Sequence, residues 1–183
     1  MVRHIFWAVP ILVVVVSRTA SQSQFIESNK DKSSITYLLV HPLHKIEATS
    51  KDVLFKAEID PVKKEIKSVT AEVDVTTFDS GNSNRDSHAM EVIDAITYPL
   101  VTFTSTSVTP SGDSLAVEGK LVFHGVTKTI TATVIPSWQQ QALSVQGNFG
   151  LSLTAFNIER PSLLLIPVND TLKFSLTAVF EWK

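Results

Sequence analysis

The chain has 183 residues, 44% of them hydrophobic and 19% charged, the profile of one globular domain able to bury its own core. It contains no cysteine, which excludes disulfide frameworks, thiolate catalysis, cysteine–zinc sites and a lipid-modified N-terminal cysteine. A formal net charge of -2 argues against nucleic acid as a partner.

Residues 1–21 read as a secretory signal peptide. Arg3 forms a basic tip, an apolar run from Ile5 to Val16 follows, and small polar residues close the segment. The run falls short of the roughly 20 apolar residues a bilayer-spanning helix needs. Export to the periplasm or medium without a stable membrane anchor is therefore expected. Loss of Arg3 and Arg18 would leave 14 basic against 18 acidic residues. Residues 22–32 are mostly polar and are expected to form a flexible arm.

From Ser33 onward, period-two alternation marks eight strands in succession. Their inward candidates are Ile35, Tyr37 and Leu39; Val53, Phe55, Ala57 and Ile59; Val69, Ala71, Val73 and Val75; then Val101 and Phe103. Beyond these come Leu115, Val117, Gly119, Leu121 and Phe123; Val126, Lys128, Ile130, Ala132 and Val134; Leu143, Val145, Gly147, Phe149, Leu151 and Leu153; and Leu172, Phe174, Leu176, Ala178, Phe180 and Trp182. Turn chemistry at Asp60–Glu65, Pro110–Asp113 and Pro136–Gln141 joins neighbours, favouring antiparallel pairing. Eight such strands predict an all-β, eight-stranded antiparallel barrel over 33–183, wide enough for side chains or one small ligand.

One short helix interrupts the third and fourth strands. Ala89, Met90, Val92, Ile93 and Ile96 recur at helical spacing, Asn84 is placed as the N-cap, and Pro99 ends the helix at Tyr98. A second irregular stretch, Thr154–Asp170, contains the unusually apolar "LLLI" and is expected to fold over an apolar surface.

Two spaced motifs carry a resemblance: "SNRDSH" at 83–88 with Tyr98-Pro99-x-x-x-Phe103, and "FHGVTK" at 123–128. With them the sequence resembles the YceI family from about Ser33 to Trp182. The resemblance implies a lipocalin-like barrel with an apolar channel that binds a polyisoprenoid. It also implies carriage or sequestration of such lipids by an exported bacterial protein, with no catalysis and no cofactor. The chain departs from the family at Thr154–Asp170 and at "HPLHK" (41–45), which puts the ligand's identity in question.

The lipid-binding residues implied are Tyr37, Leu39, Phe55, Val73, Phe103, Leu121, Ile130, Phe149, Phe174 and Leu176. Arg85, Asp86, His88, His124 and Lys128 are candidates for a headgroup. Periodicity alone does not separate a cavity wall from a filled core. The bland reading of "SNRDSH" is a loop-to-helix junction, with Asp86 on the helix dipole and Arg85 on carbonyls or Asp79. The chemical alternative is a small-substrate enzyme using Arg85, Asp86, His88 and His124. A third reading is a filled barrel acting through its surface as a stress-related interaction protein. "FHGVTK" reads as a tight hairpin, because His and Gly both tolerate positive φ. His41 and His44 could share a metal but read better as turn residues, so no metal is assigned. A homodimer stays open.

Overall fold

The structure, a computed structural model, describes residues 22–182; the signal-peptide reading of 1–21 lies outside them. Ten strands form one curled antiparallel sheet. They are β1 (Gln24–Glu27), β2 (Ser34–His41), β3 (His44–Ser50), β4 (Val53–Asp60), β5 (Glu65–Asp74), β6 (Leu100–Ser111), β7 (Ser114–Phe123), β8 (Val126–Trp138), β9 (Ala142–Ser152) and β12 (Thr171–Glu181). A separate two-stranded hairpin, β10 (Ser162–Leu163) with β11 (Ile166–Pro167), and one helix, α1 (Ser83–Val92), complete the set.

The sheet order is β1-β4-β5-β6-β7-β8-β9-β12-β2-β3. The run from β4 to β9 is a meander, and β12 then returns to sit between β9 and β2. The sheet curls back on itself through isolated bridges: Ser28, just after β1, meets Phe180 of β12, and Thr49 of β3 meets Asp79, beyond the end of β5. All eight expected strands are present. Within this sheet β1 and β3 are additional to those expected, each for a reason, and the β10–β11 hairpin adds two more strands outside it.

The stretch expected as a flexible arm supplies β1, whose Gln24–Glu27 pairs with Ile59–Lys56 of β4. Its sequence is weak as a strand because Phe25 points to solvent; the ladder to β4 and the Ser28 N–H bond to Phe55 O (2.8 Å) hold it. Likewise β3 carries only two strand formers, Ile46 and Thr49, and is held by pairing with β2 from Ile35↔Ser50 to His41↔His44.

The helix starts and stops earlier than its periodicity suggests. Asn82, in extended backbone, caps it: its side chain accepts from Arg85 N at 3.1 Å, while Asn84 lies inside the first turn. Regular helix ends at Val92, and Asp94 at φ 46 breaks it before Pro99 can. Met90, Val92 and Ile93 pack inward, whereas Ile96 is exposed.

Two glycines are fixed by close approach. A Cβ on Gly119 would lie 2.4 Å from Thr104 O and 2.5 Å from the Phe103 ring, at the bulge where β6 shifts register between Ser105 and Ser107. A Cβ on Gly125, at φ 70, would lie 2.7 Å from the Tyr98 ring. Gly125 and His124 (φ 49) make the tight turn between β7 and β8, as "FHGVTK" suggests.

Apolar side chains gather in two contiguous clusters. One, around Val53, Phe55, Ile59, Leu143 and Phe180, fills the end away from the helix. The other, around Leu121, Phe123, Leu151, Phe156, Ile158 and Val168, lies under α1 and the 154–170 stretch, which folds over an apolar surface as expected.

Candidate functional site: an apolar cavity with a polar end

Between the two clusters the curled sheet encloses a cavity of about 480 Å³, within the range of small-molecule sites. Inward positions of the strands line it because every second residue of a curled sheet faces inside. All ten residues expected on the wall are there: Tyr37, Leu39, Phe55, Val73, Phe103, Leu121, Ile130, Phe149, Phe174 and Leu176. Phe149 and Phe174, directly paired across β9 and β12, stack at 4.7 Å and 4°. Tyr37 meets Phe174 edge-on at 6.4 Å and Phe78 at 5.4 Å.

Strand alternation could not find the rest of the wall. Phe78, Met90, Ile93, Ile158 and Val168 close the cavity from α1 and the irregular segments. For all of these but Phe78, which no pattern marks, the signals are the helical spacing at 89–96 and the apolar content of 154–170.

Polar lining residues concentrate at the helix end: His41, His44, Arg85, Asp86, His88 and Ser162, with Glu72 of β5 the exception. His44, His88 and Ser162 are solvent-exposed as well as lining, so the cavity opens here. Tyr37 brings a hydroxyl toward this region. That hydroxyl has no hydrogen-bond partner among the described residues. Burial pushes the Tyr37 phenol above its ordinary value, the Asp86 carboxylate adds to the rise, and Arg85 opposes it.

Arg85 and Asp86 are tied to each other through one residue. Arg85 donates from Nε to Ser80 Oγ (2.9 Å) and from Nη2 to Ser80 O (2.7 Å). Asp86 accepts from Ser80 N at 3.2 Å and from the Ser80 hydroxyl. Thus "SNRDSH" is a junction that pins the loop before α1, with Arg85 on a carbonyl rather than on Asp79. Asp79 instead accepts from Gly81 N at 2.7 Å. The same arrangement leaves a charge-balanced guanidinium–carboxylate pair facing the cavity. His88, exposed at the opening that it helps to line, sits 3.6 Å from Glu91.

Two candidates fall outside the cavity. His124 donates from Nδ1 to Phe156 O at 3.0 Å and packs edge-on against Tyr98 at 4.8 Å, so the two family motifs meet as a structural contact. Lys128, on the inward parity of β8, is nevertheless exposed, since its long stem lets the ammonium reach water near the strand's end. Neither belongs to the lining.

His41 is 2% exposed and committed on both nitrogens. Nδ1 accepts from Leu43 N (3.1 Å) and Nε2 donates to Ile166 O (2.9 Å), which leaves no lone pair for a metal shared with His44.

The YceI-like domain matches residues 26–180. The chain belongs to the YceI-like family. Protein YceI of Escherichia coli is 38% identical over 65 residues, 34% of this chain and 34% of the relative, so that match spans about a third of the relative's length. A UPF0312 protein of Vibrio cholerae is 36% identical over 109 residues, covering 55% of this chain and 58% of the relative. A UPF0312 protein of Pseudomonas syringae is 28% identical over 141 residues, 72% and 71% of the two chains.

Solved structures share the YceI fold. Burkholderia cenocepacia BcnA superposes with a TM-score of 0.75 at 24% identity, covering 83% of this chain and 98% of its own. A polyisoprenoid-binding domain from Saccharophagus degradans, implicated in plant cell wall breakdown, gives 0.62 at 11% identity over 87% and 98%. The Campylobacter jejuni YceI protein gives 0.58 at 15% over 97% and 94%. The architecture is thus the all-β, barrel-like YceI fold, with ten strands in place of the eight expected. Among the described residues no helix is long and apolar enough to cross a membrane.

Proposed function

We propose that this YceI-like protein binds one isoprenoid or similar amphiphilic lipid, with the chain in the cavity and the polar head at the helix end. The observation that carries the reading is the apolar cavity itself, walled by Phe55, Phe103, Phe149 and Phe174 and ending at Tyr37, Arg85 and Asp86. At about 0.8 kcal/mol per buried carbon, each five-carbon unit contributes roughly 4 kcal/mol before entropic costs. Because Arg85 and Asp86 balance each other, the polar end suits a neutral oxygen-bearing head, to which Tyr37 and Arg85 donate.

The protein sequesters or carries its ligand without turning it over. The enzymatic alternative loses ground because His124 is spent on Phe156 O and His88 lies against Glu91 at the surface. Export to the periplasm or medium follows from the reading of residues 1–21. That the Saccharophagus degradans domain binds polyisoprenoids supports the ligand class.

Native mass spectrometry of protein isolated from an exporting host, followed by solvent extraction, tests the reading. A stoichiometric added mass resolving to a prenyl chain is the expected result. An apo mass that stays unchanged after incubation with prenols and quinones would sink it. His88→Ala combined with His124→Ala is expected to keep the bound lipid.

A further inference from the structure

The helix end carries an apolar surface that the cavity does not use. Leu43, at the tip of the β2–β3 turn, is 61% exposed; Leu164 and Leu165, in the β10–β11 turn, and Ile166, which opens β11, are 76%, 97% and 40% exposed. Leu164 and Leu165 also sit at φ 53 and 65, the left-handed region that tight hairpin turns fill with Asn or Gly. A leucine there bears backbone strain and gains no packing in return, an arrangement that points to use rather than to stability.

The two tips are one unit. The His41 ring bridges them, accepting from Leu43 N and donating to Ile166 O. Arg160 holds the base of the hairpin through two bonds to Val168 O, at 2.8 and 2.5 Å, and Asn169 N bonds Val40 O at 2.8 Å. Beside the tips runs a shallow depression lined by Lys45, Arg160 and Lys173, with Asp170 its one acid. Asp170 accepts from Ser152 Oγ at 2.5 Å and Thr154 N at 3.0 Å, and the three basic side chains outnumber it along the depression. Neither Lys45 nor Lys173 forms an ion pair among the described residues. The residues at the base of both tips, His41, His44 and Ser162, also line the cavity, so the apolar tips stand at its mouth.

We propose that the Leu43 and Leu164–Ile166 tips insert together into the interface of an anionic bilayer, with Lys45, Arg160 and Lys173 against its phosphates. Apolar side chains flanked by basic ones are the composition that binds such a surface. A second copy fits less well: a two-fold contact through these tips would bring the basic flanks toward each other. The inference rests on the lipid-binding reading for its purpose, since a ligand insoluble in water then passes between membrane and cavity without leaving an apolar path.

The test is flotation with vesicles of equal parts phosphatidylcholine and phosphatidylglycerol, and with pure phosphatidylcholine. The protein used is one whose mass shows residues 1–21 removed. Binding to the mixed vesicles that weakens in high salt is expected, with a loss on the order of tenfold or more in Leu164→Asp/Leu165→Asp. Lys45→Glu/Lys173→Glu is expected to weaken binding to the mixed vesicles alone. Unchanged thermal melting and unchanged bound lipid in each variant show that fold and cavity are intact. Three results overturn the proposal: no flotation of the parent, equal flotation of the leucine variant, or a tip-dependent dimer in light scattering without vesicle binding. A parent that floats yet never carries lipid defeats the cavity reading and leaves the docking surface standing.

Discussion

Ala132 offers a way to separate a ligand cavity from a filled core. It is buried in β8, opposite Val117, and its side chain faces the cavity. Ala132→Phe adds six ring carbons to that space, somewhat more than one five-carbon isoprene unit. If the ring displaces one such unit, the ligand loses about 4 kcal/mol, roughly a thousandfold in affinity. The empty protein, meanwhile, has room for the ring, so its melting temperature is expected to stay within about 4 °C of the parent, the shift that about 1 kcal/mol produces in a chain of this size. A filled core gives the opposite pattern, because overpacking costs about 1–3 kcal/mol while no ligand is there to lose. The assay pairs a thermal melt of delipidated protein with displacement of a fluorescent prenyl probe. A large drop in melting temperature with unchanged probe affinity would refute the reasoning.

Further outcomes follow from individual contacts. Tyr37 holds its proton above the ordinary phenol value near 10, so the folded state retains a proton the unfolded state has lost; stability is full below that pH and falls as pH rises through the raised value. Tyr37→Phe is expected to flatten this loss in melts between about pH 9 and 11, and a profile identical to the parent's would contradict it. Gly119→Ala drives a methyl against Thr104 O and the Phe103 ring and is expected to cost about 1–3 kcal/mol in urea unfolding. His41→Ala leaves Leu43 N and Ile166 O without their shared partner, with an expected cost of about 1–3 kcal/mol and faster amide exchange confined to 42–44 and 162–168.

Strand periodicity made most of this molecule legible, because a curled sheet buried on one side repeats every two residues from Ile35 to Trp182. The wall residues followed from the same alternation together with the family resemblance. What escaped was whatever depends on a distant partner. The segment Gln24–Glu27 is a strand only because β4 offers an edge, and His44–Ser50 only because β2 does. Asn82 rather than Asn84 caps the helix because its backbone is extended when the chain leaves Ser80, a feature that two nearby asparagines do not reveal. Lys128 and His124 show the limit of parity and motif alike: one escapes along its own stem, the other spends its ring on Phe156. The polar end of the cavity is half visible in the sequence, since Arg85, Asp86 and His88 stand close together in the chain whereas the Tyr37 hydroxyl comes from a distant wall strand.

The position of β12 has a consequence for the order in which the molecule can assemble. It is the last strand among the described residues, yet it lies inside the sheet, pairing with β9 along Thr171–Glu181 and with β2 along Lys173–Thr177. The closing bridge from Ser28 to Phe180 also waits for it, and these partners stand more than a hundred residues apart in sequence. Until β12 arrives, the β2–β3 hairpin has no strand to pair with beyond its Thr49–Asp79 bridge, and β9 presents an open edge. Non-local pairing of this kind is slow. Deleting Thr171–Glu181 would therefore remove both ladders at once and leave the first hairpin held to the rest of the fold mainly by the Thr49–Asp79 bridge.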